Sequence, residues 1–243
     1  MPADWPLGGT GCQPNQILDL SFWELTLPTG SGGSRSGSPL EILPLNLGGL
    51  LNVPWFRSTP DCAAVAFRAP VTGTTTKGSH YPRSELRELA AGGERASWSS
   101  TSGTHWMEVT EAFTALPSGK PELVGAQIHG SSDDITVFRL EGSNLYVTDG
   151  NNPHYKLVTS QYRLGTPFTA TFLVSQGVVH AFYNGQLQAT IHKSFSGAYF
   201  KAGAYTQANC SNSPCNQDNY GETMIYDLRV SHTRDAPSGL PGT

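Results

Sequence analysis

Apolar and polar residues alternate along many short stretches of this chain, and a period of two is the pattern of a strand with one buried face. We interpret six such stretches as strands, at 135–140, 144–147, 169–174, 178–183, 186–191 and 222–230. The Asn184-Gly185 pair between two of them is typical of a type I′ hairpin turn. Hairpins without a strand–helix–strand rhythm predict an all-β fold, an antiparallel sandwich or jelly roll.

The composition agrees with short strands and many turns. The chain has 243 residues, of which 27 are glycine and 17 are proline, while only 14% are charged. A sandwich of this size commonly forms one domain. We therefore expect a single domain over residues 1–243, with irregular ends at 1–15 and 235–243. The Gly/Ser-rich stretch 30–38 predicts an exposed connection, with a mobile loop over a binding site as the alternative.

The overall charge limits the classes of partner. The net charge is −4, so the chain as a whole should not be attracted to nucleic acid or to anionic membranes. No apolar stretch approaches the roughly 18 residues that a membrane span needs. No basic segment followed by an apolar one opens the chain, so a secretion signal is absent or already removed.

Four cysteines, Cys12, Cys62, Cys210 and Cys215, allow three pairings. A local bridge between Cys210 and Cys215 would close a turn-rich segment, and Cys12 with Cys62 would then tie the N-terminal segment to the body of the fold. The alternative is four free buried thiols. The even count favours disulfides and a secreted, extracellular protein. None of these cysteines has zinc-ligand spacing, so we expect no metal.

The stretch 81–89 carries charges on one face. Alternation places Arg83, Glu85 and Arg87 together, with Ser84 and Leu86 on the opposite face. Flanking cations keep a carboxylate ionised, and the carboxylate in turn holds the guanidinium groups in place. Taken alone, such a stripe is more often a solvated, salt-bridged surface.

A second polar face follows in the stretch 123–129. Here Gln127 and His129 share one face, while Val124, Ala126 and Ile128 are predicted to point to the other. Taken alone, this histidine is an ordinary polar residue on a half-exposed strand.

The stretch 199–207 presents a third polar face, opposite an apolar one. The residues on the polar face are Tyr199, Lys201, Tyr205 and Gln207. Gly203 lies in mid-strand, where the missing side chain lets a ligand or another backbone approach closely.

These three faces together predict a cationic groove lined by aromatic rings. Three of the chain's 15 Lys and Arg residues fall on them, against the negative sign of the whole chain. Guanidinium and ammonium groups bind carboxylates, and tyrosine rings pack against pyranose rings. A protein that binds an acidic polysaccharide needs this combination of cationic and aromatic side chains.

The same three stretches resemble the sequence blocks of polysaccharide lyase family 7, the alginate lyases. The blocks are Arg-Ser-Glu-Leu-Arg at 83–87, Gln-Ile-His at 127–129 and Tyr-Phe-Lys-Ala-Gly-Ala-Tyr-Thr-Gln at 199–207. The resemblance implies a β-jelly roll, a concanavalin-like sandwich with a concave catalytic sheet. It also implies a secreted enzyme that cleaves 1,4-linked uronate polysaccharides by β-elimination without a metal or other cofactor. We expect the enzyme to be endolytic and monomeric.

The resemblance also implies a catalytic set, consisting of Arg83, Gln127, His129 and Tyr205. Arg83 and Gln127 would neutralise the uronate carboxylate, and His129 would remove the proton at C5, because its ordinary pKa lies close to working pH. Tyr205 would protonate the O4 leaving group, and it would also be the base in syn-elimination at mannuronate.

The set implied for substrate binding consists of Glu85, Arg87, Tyr199, Lys201 and Gln207. Within it, we expect Glu85 to orient the arginines rather than to perform chemistry. Ile128 is associated in the family with guluronate or mixed blocks, although alternation points it away from the groove.

Three alternatives stay open at the level of sequence. A lyase for another polyuronate, such as glucuronan, would share the chemistry and differ in the sugar epimer. A glycoside hydrolase needs two carboxylates facing each other across the bond, whereas the three faces offer only Glu85. A non-catalytic lectin would use the rings and cations without needing the histidine and tyrosine.

Overall fold

A computed structural model of the chain describes residues 11–30, 37–44 and 53–233. Most of the predicted irregular ends, and most of the Gly/Ser-rich connection at 30–38, lie outside these residues. Within the described residues a short helix, Pro14–Ile17, precedes fifteen strands. This helix begins inside the N-terminal stretch that we expected to be irregular.

The strands are labelled in chain order. The first eight are β1 Trp23–Gly30, β2 Pro39–Ile42, β3 Phe56–Ser58, β4 Val65–Pro70, β5 Arg83–Glu88, β6 Thr104–Ala115, β7 Glu122–His129 and β8 Asp134–Glu141. The other seven are β9 Asn144–Asp149, β10 Asn152–Thr159, β11 Phe168–Ser175, β12 Val178–Tyr183, β13 Gln186–His192, β14 Tyr199–Thr206 and β15 Tyr220–Thr233.

These strands form two antiparallel sheets. The front sheet has eight strands in the order β10-β9-β8-β7-β14-β5-β1-β2, and the back sheet has seven in the order β13-β12-β11-β6-β15-β4-β3. The predicted all-β, antiparallel jelly-roll sandwich is confirmed. Strands β5, β14 and β7, which carry the three polar faces, are direct neighbours in the centre of the front sheet.

The hairpin predictions are confirmed in register. Strand β12 pairs with β13 around Asn184 and Gly185, whose φ angles of 49° and 76° suit a type I′ turn. Strands that lack alternation were not predicted. All eight residues of β1 are buried, and most residues of β10 are exposed, so neither strand shows a period of two.

The core lies between the two sheets and is rich in phenylalanine. Its largest fully buried rings come from both sheets: Phe56, Phe67, Phe113, Phe138, Phe168, Phe172 and Phe200. Burial of this apolar area is the main stabilising contribution, at roughly 25 cal/mol per Å². The front sheet therefore has one face packed in the core and one face available for a site.

One prediction from alternation is wrong, at Val124. Leu123, and not Val124, belongs to the core cluster, whereas Val124 pairs across the sheet with Tyr205 and Arg139. Between Val124 and Gln127 the register against β8 shifts, so that two residues of β7 oppose one residue of β8. This β-bulge reverses the alternation, and Ala126, Ile128, Gln127 and His129 then lie on the faces we predicted.

Both predicted disulfides are present. Cys12 pairs with Cys62 across 50 residues, and Cys210 pairs with Cys215 across five. The longer bridge links the segment before β1 to the turn between β3 and β4. It therefore closes a loop that contains most of the N-terminal quarter of the chain. Within the described part of the chain, no helix has the length and apolarity required to cross a membrane.

Candidate active site

The register of the three central strands brings their polar faces together. Across β5 and β14, Arg83 pairs with Tyr205 and Arg87 pairs with Lys201. Across β14 and β7, Lys201 pairs with Gln127 and Tyr199 pairs with His129. Directly paired residues lie on the same side of a sheet, so all seven side chains share the outer face of the front sheet.

Glu85 is the anion at the centre of this face, and it has no exposed surface. Its carboxylate accepts hydrogen bonds from Arg83 Nη1 at 3.2 Å, from Lys201 Nζ and from Gln127 Nε2. Burial alone would raise the pKa of Glu85, but the charges of Lys201 and Arg83 and the bonds from Lys201 and Gln127 outweigh it and lower the pKa. Glu85 is therefore ionised and anchors three other polar side chains.

Lys201 lies beside this anion with only 6% of its surface exposed. Burial, together with the charge of Arg83, lowers the pKa of Lys201 to about 8, although Glu85 opposes the shift. Gln127 is 2% exposed, and one of its amide hydrogens is used by Glu85. The second amide hydrogen is left for another acceptor.

Gly203 explains how β14 and β5 can approach so closely. Its φ is +146°, and a Cβ at this position would lie 2.5 Å from the carbonyl oxygen of Ser84. The backbone of β5, rather than a ligand, thus requires the glycine.

His129 has one nitrogen committed and one free. Its Nδ1 lies 2.7 Å from the carbonyl oxygen of Gly130, which can only accept, so Nδ1 carries the proton. The ring stacks on Tyr199 with centroids 5.1 Å apart. Burial and the charges of Lys201 and Arg83 lower the pKa of His129, while the bond to Gly130 opposes this. The imidazole is therefore neutral near pH 7, with Nε2 as an acceptor.

Tyr205 is held by two groups near its hydroxyl and its ring. Its hydroxyl is 3.0 Å from Ser79 Oγ, and the guanidinium carbon of Arg83 lies 3.8 Å from the ring centroid. Arg83 Nη2 also donates to Ser79 Oγ at 3.1 Å. Ser79 thus links the predicted acid to the predicted carboxylate-binding arginine.

Arg87 stacks over Tyr199 at 3.8 Å from the ring centroid. Within the described residues no carboxylate pairs with Arg87, and its Nε, like that of Arg83, is buried without a hydrogen-bond partner. The buried Nε atoms cannot reach a ligand, but both guanidinium groups line the groove, and their terminal nitrogens carry further N–H donors that an incoming carboxylate could use.

These side chains line one groove of about 480 Å³. Its cations are Lys77, Arg83, Arg87, Arg95 and Lys201, and its carboxylates are Glu41, Asp133 and Asp134. His129 and Tyr205 both line this groove. The cationic excess holds locally although the chain carries a net charge of −4.

Several lining residues had no signal in the sequence. Ser79 lies in the loop before β5, and Arg95 lies in the loop after it, where it binds Glu24 through Nε at 3.0 Å and Nη2 at 2.8 Å. Asp134 lies beside Asp133, and burial with this neighbour raises the pKa of Asp134 to about 6. Ser79 and Arg95 are loop residues, which follow no period, and Asp134 is the first residue of β8, just before the alternating stretch 135–140, so alternation placed none of the three.

Two further residues named in the sequence analysis, Gln207 and Ile128, are not among those that line the groove. Gln207 is 7% exposed, and its Oε1 is 3.5 Å from Arg139 Nη1. Ile128 is fully buried in the core, as alternation predicted.

In the part of the chain that the structure describes, no group of three or more His, Cys, Asp or Glu side chains could hold a metal ion.

The chain is similar to alginate lyases over most of its length. The model of the alginate lyase family matches residues 18–232. A curated alginate lyase of Klebsiella pneumoniae is 32% identical over 82 residues, and this match covers 33% of the chain and 26% of that protein. The chain thus spans about a quarter of that curated relative.

Three solved structures extend the similarity to the whole fold. The alginate lyase from Corynebacterium sp. is 56% identical with a TM-score of 0.87, over 91% of this chain and 99% of that one. An alginate lyase of polysaccharide lyase family 7 is 43% identical with a TM-score of 0.85, over 92% and 100%.

The third structure is the family 7 alginate lyase A1-II′ with a His-to-Asn and a Tyr-to-Phe substitution, in complex with the substrate GGMG. It is 27% identical with a TM-score of 0.78, over 93% of this chain and 99% of that one. The family match, the central three-strand site and these structures lead to one conclusion: the chain belongs to the alginate lyases of polysaccharide lyase family 7.

Proposed function

We propose that this chain cleaves alginate by β-elimination in the groove of the front sheet, with Arg83, Gln127, His129 and Tyr205 as its catalytic residues. The observation that carries the proposal is the placement of a free imidazole nitrogen and a tyrosine hydroxyl in one groove that is also lined by the guanidinium groups of Arg83 and Arg87. These are the groups that elimination from a uronate requires.

The first requirement is neutralisation of the uronate carboxylate. The proton at C5 is α to this carboxylate, so its removal builds up a second negative charge. Arg83 and the second amide hydrogen of Gln127 donate to this charge. Glu85 fixes both side chains from below, so they need no rearrangement when the charge develops.

The second requirement is a base at C5 and an acid at O4. His129 Nε2 accepts the C5 proton, since Nδ1–H is held by Gly130 and the ring is neutral. The hydroxyl of Tyr205 protonates O4 as the bond to C4 breaks, and Ser79 positions that hydroxyl. At mannuronate, Tyr205 serves as the base as well: its deprotonated oxygen takes the C5 proton and passes the same proton to O4 as the bond to C4 breaks.

Arg87, Tyr199, Lys201 and Gln207 contact the neighbouring sugars in this proposal, and Glu85 orients the cations. Guluronate or mixed blocks are the preferred substrate, through an indirect influence of the buried Ile128. We further propose that the chain acts as one domain over residues 1–243, as a secreted monomer with endolytic action. Size-exclusion chromatography tests the monomer, and an early fall in alginate viscosity tests the endolytic action.

Related proteins support the proposal. A1-II′ was captured with substrate when a histidine and a tyrosine were replaced, and these are the residue types proposed here as base and acid. The two disulfides are consistent with an extracellular enzyme.

The test is an assay on alginate, with the guluronate-rich, mannuronate-rich and glucuronan polymers in parallel. We expect products with a C4–C5 double bond that absorb in the ultraviolet. His129→Ala and Tyr205→Phe should each lower kcat by about 10²–10⁴-fold while substrate affinity is kept. Arg83→Ala should lower kcat and weaken binding together.

His180→Ala and Tyr226→Phe are matched controls, because both residues lie on the back sheet, and they should keep full activity. New reducing ends without ultraviolet absorbance would identify a hydrolase instead. Binding without any product would identify a lectin, and full activity of Tyr205→Phe would remove the tyrosine from its role.

A further inference from the structure

A buried carboxyl group that the proposed mechanism does not use lies behind the active site. Glu111, on β6 of the back sheet, has no exposed surface and points into the core. Its Oε1 accepts a hydrogen bond from the backbone N–H of Ala126 at 3.3 Å, and its Oε2 has no hydrogen-bond partner. Burying a carboxyl group with one oxygen unpaired costs free energy of folding, and native proteins rarely accept that cost without a role for the group. The contact of Glu111 with β7 indicates what that role is.

The contact falls on the β-bulge of β7. Gly125 and Ala126 are the two residues that oppose a single residue of β8. A Cβ built on Gly125 would lie 2.6 Å from both carboxyl oxygens of Glu111, so the carboxyl group packs flat against this glycine. Glu111 thus contacts both residues of the bulge from the core side.

The bulge decides which way the catalytic side chains point. Leu123 belongs to the core, and strict alternation from it would put positions 125, 127 and 129 in the core as well. The extra residue at the bulge reverses this order, so Gln127 and His129 reach the groove while Ala126 and Ile128 enter the core.

We propose that Glu111 is a positioning residue of the active site, whose carboxyl group holds the bulge at Gly125 and Ala126 and thereby keeps Gln127 and His129 in the groove. This inference rests on the proposed function of Gln127 and His129. Glu111 itself does not touch the substrate. Burial raises the pKa of Glu111 to about 8, so the group is a neutral acid near pH 7, and an amide can replace it.

The experiment compares Glu111→Leu with Glu111→Gln. Leucine has a similar size but accepts no hydrogen bond, so the bulge loses its support. We expect kcat to fall at least tenfold and KM to change less than threefold, because Arg83, Arg87 and Lys201 lie on the neighbouring strands β5 and β14. Glutamine keeps the acceptor, and kcat should stay within threefold of the parent.

Met107→Ala is the matched control for a general loss of core packing. Met107 lies on the same strand and is fully buried. Its truncation should lower the melting temperature without changing kcat. Should Glu111→Leu not fold, Gly125→Ala tests the same contact, because its Cβ pushes against the Glu111 carboxyl group, and it should also lower kcat at least tenfold.

A readout without turnover separates this inference from the proposed function. The Nδ1–H resonance of His129, measured by NMR in ¹⁵N-labelled protein, reports the bond to Gly130 whether or not the protein cleaves alginate. We expect this resonance to persist in Glu111→Gln and Met107→Ala and to shift or disappear in Glu111→Leu. An unchanged resonance and kcat in Glu111→Leu would overturn the inference, as would equal losses of kcat in Glu111→Leu and Glu111→Gln.

Discussion

Two fully buried glutamates, Glu85 and Glu111, lie on opposite faces of the front sheet. They share complete burial but differ in their hydrogen-bond partners and in their charge. Glu85 belongs to the front sheet and accepts bonds from Arg83, Lys201 and Gln127. Glu111 comes from the back sheet and has the N–H of Ala126 as its hydrogen-bond donor. Neither side chain has any exposed surface.

The partners, and not the depth of burial, set the charge of each group. Burial raises the pKa of both carboxyl groups, but the cations around Glu85 reverse the shift, while the single bond to Glu111 leaves its pKa at about 8. One glutamate is therefore an ionised anchor for the active site, and the other is a neutral acid in the core. As pH rises, ionisation of Glu85 should raise the free energy of unfolding, whereas the raised pKa of Glu111 should lower it.

The largest expected effect is that of Glu85→Gln. The amide leaves Arg83 and Lys201 buried without a counter-ion and turns a donor toward them. Removing one partner of a buried ion pair typically costs about 3–5 kcal/mol, and we expect a loss in this range in the free energy of unfolding, together with most of the activity. Urea denaturation and alginate turnover measure the two losses.

A double-mutant cycle tests whether this loss comes from the cluster. Lys201→Met removes one of the two cations, so Glu85→Gln should cost less in that background than in the parent. Fully additive losses would mean that Glu85 does not act through Lys201.

The next effect is a gain in stability, from Glu111→Gln. Between about pH 4.5 and pH 8 the unfolded chain releases the proton of Glu111 while the folded protein keeps it, so the parent loses stability as pH rises through this window. Glutamine removes that loss. The difference should be near zero below pH 4.5, about 3 kcal/mol at pH 7 and constant above pH 8. Chemical denaturation across this pH range measures it, and a difference independent of pH would contradict the neutral state of Glu111.

This contrast also shows how far the sequence could lead. Alternation along 83–87 and 199–207 placed Arg83, Glu85, Lys201 and Tyr205 on one face, because β5 and β14 pair without interruption in this region. The hairpin at Asn184-Gly185 followed from local turn chemistry. These features depend on neighbours in sequence, so a single chain reveals them.

Features that depend on contacts between distant segments were not visible. The prediction for Val124 was wrong because a bulge leaves no mark in the order of apolar and polar residues. In the sequence, nothing distinguishes Glu111 from any other polar residue on a strand, because its proposed role depends on its contact with β7 across the core. Ser79 and Arg95 are loop residues, and only the folded chain brings them to the groove.

The smallest expected effect concerns an exposed pair beside the same groove. Glu41 pairs with Arg95 at 2.9 Å, but the two side chains are 46% and 52% exposed. Glu41→Gln should therefore cost about 0.2–1 kcal/mol in low salt and nothing measurable in 1 M salt, where the Debye length is about 3 Å. Glu85→Gln, measured by urea denaturation at the same two salt concentrations, should keep its full effect because the cluster is shielded from ions. Two results would contradict this explanation: a cost of Glu41→Gln as large as that of Glu85→Gln, or a cost of Glu41→Gln that stays the same in 1 M salt. Either would mean that burial does not separate the strong ion pairs of this groove from the weak ones.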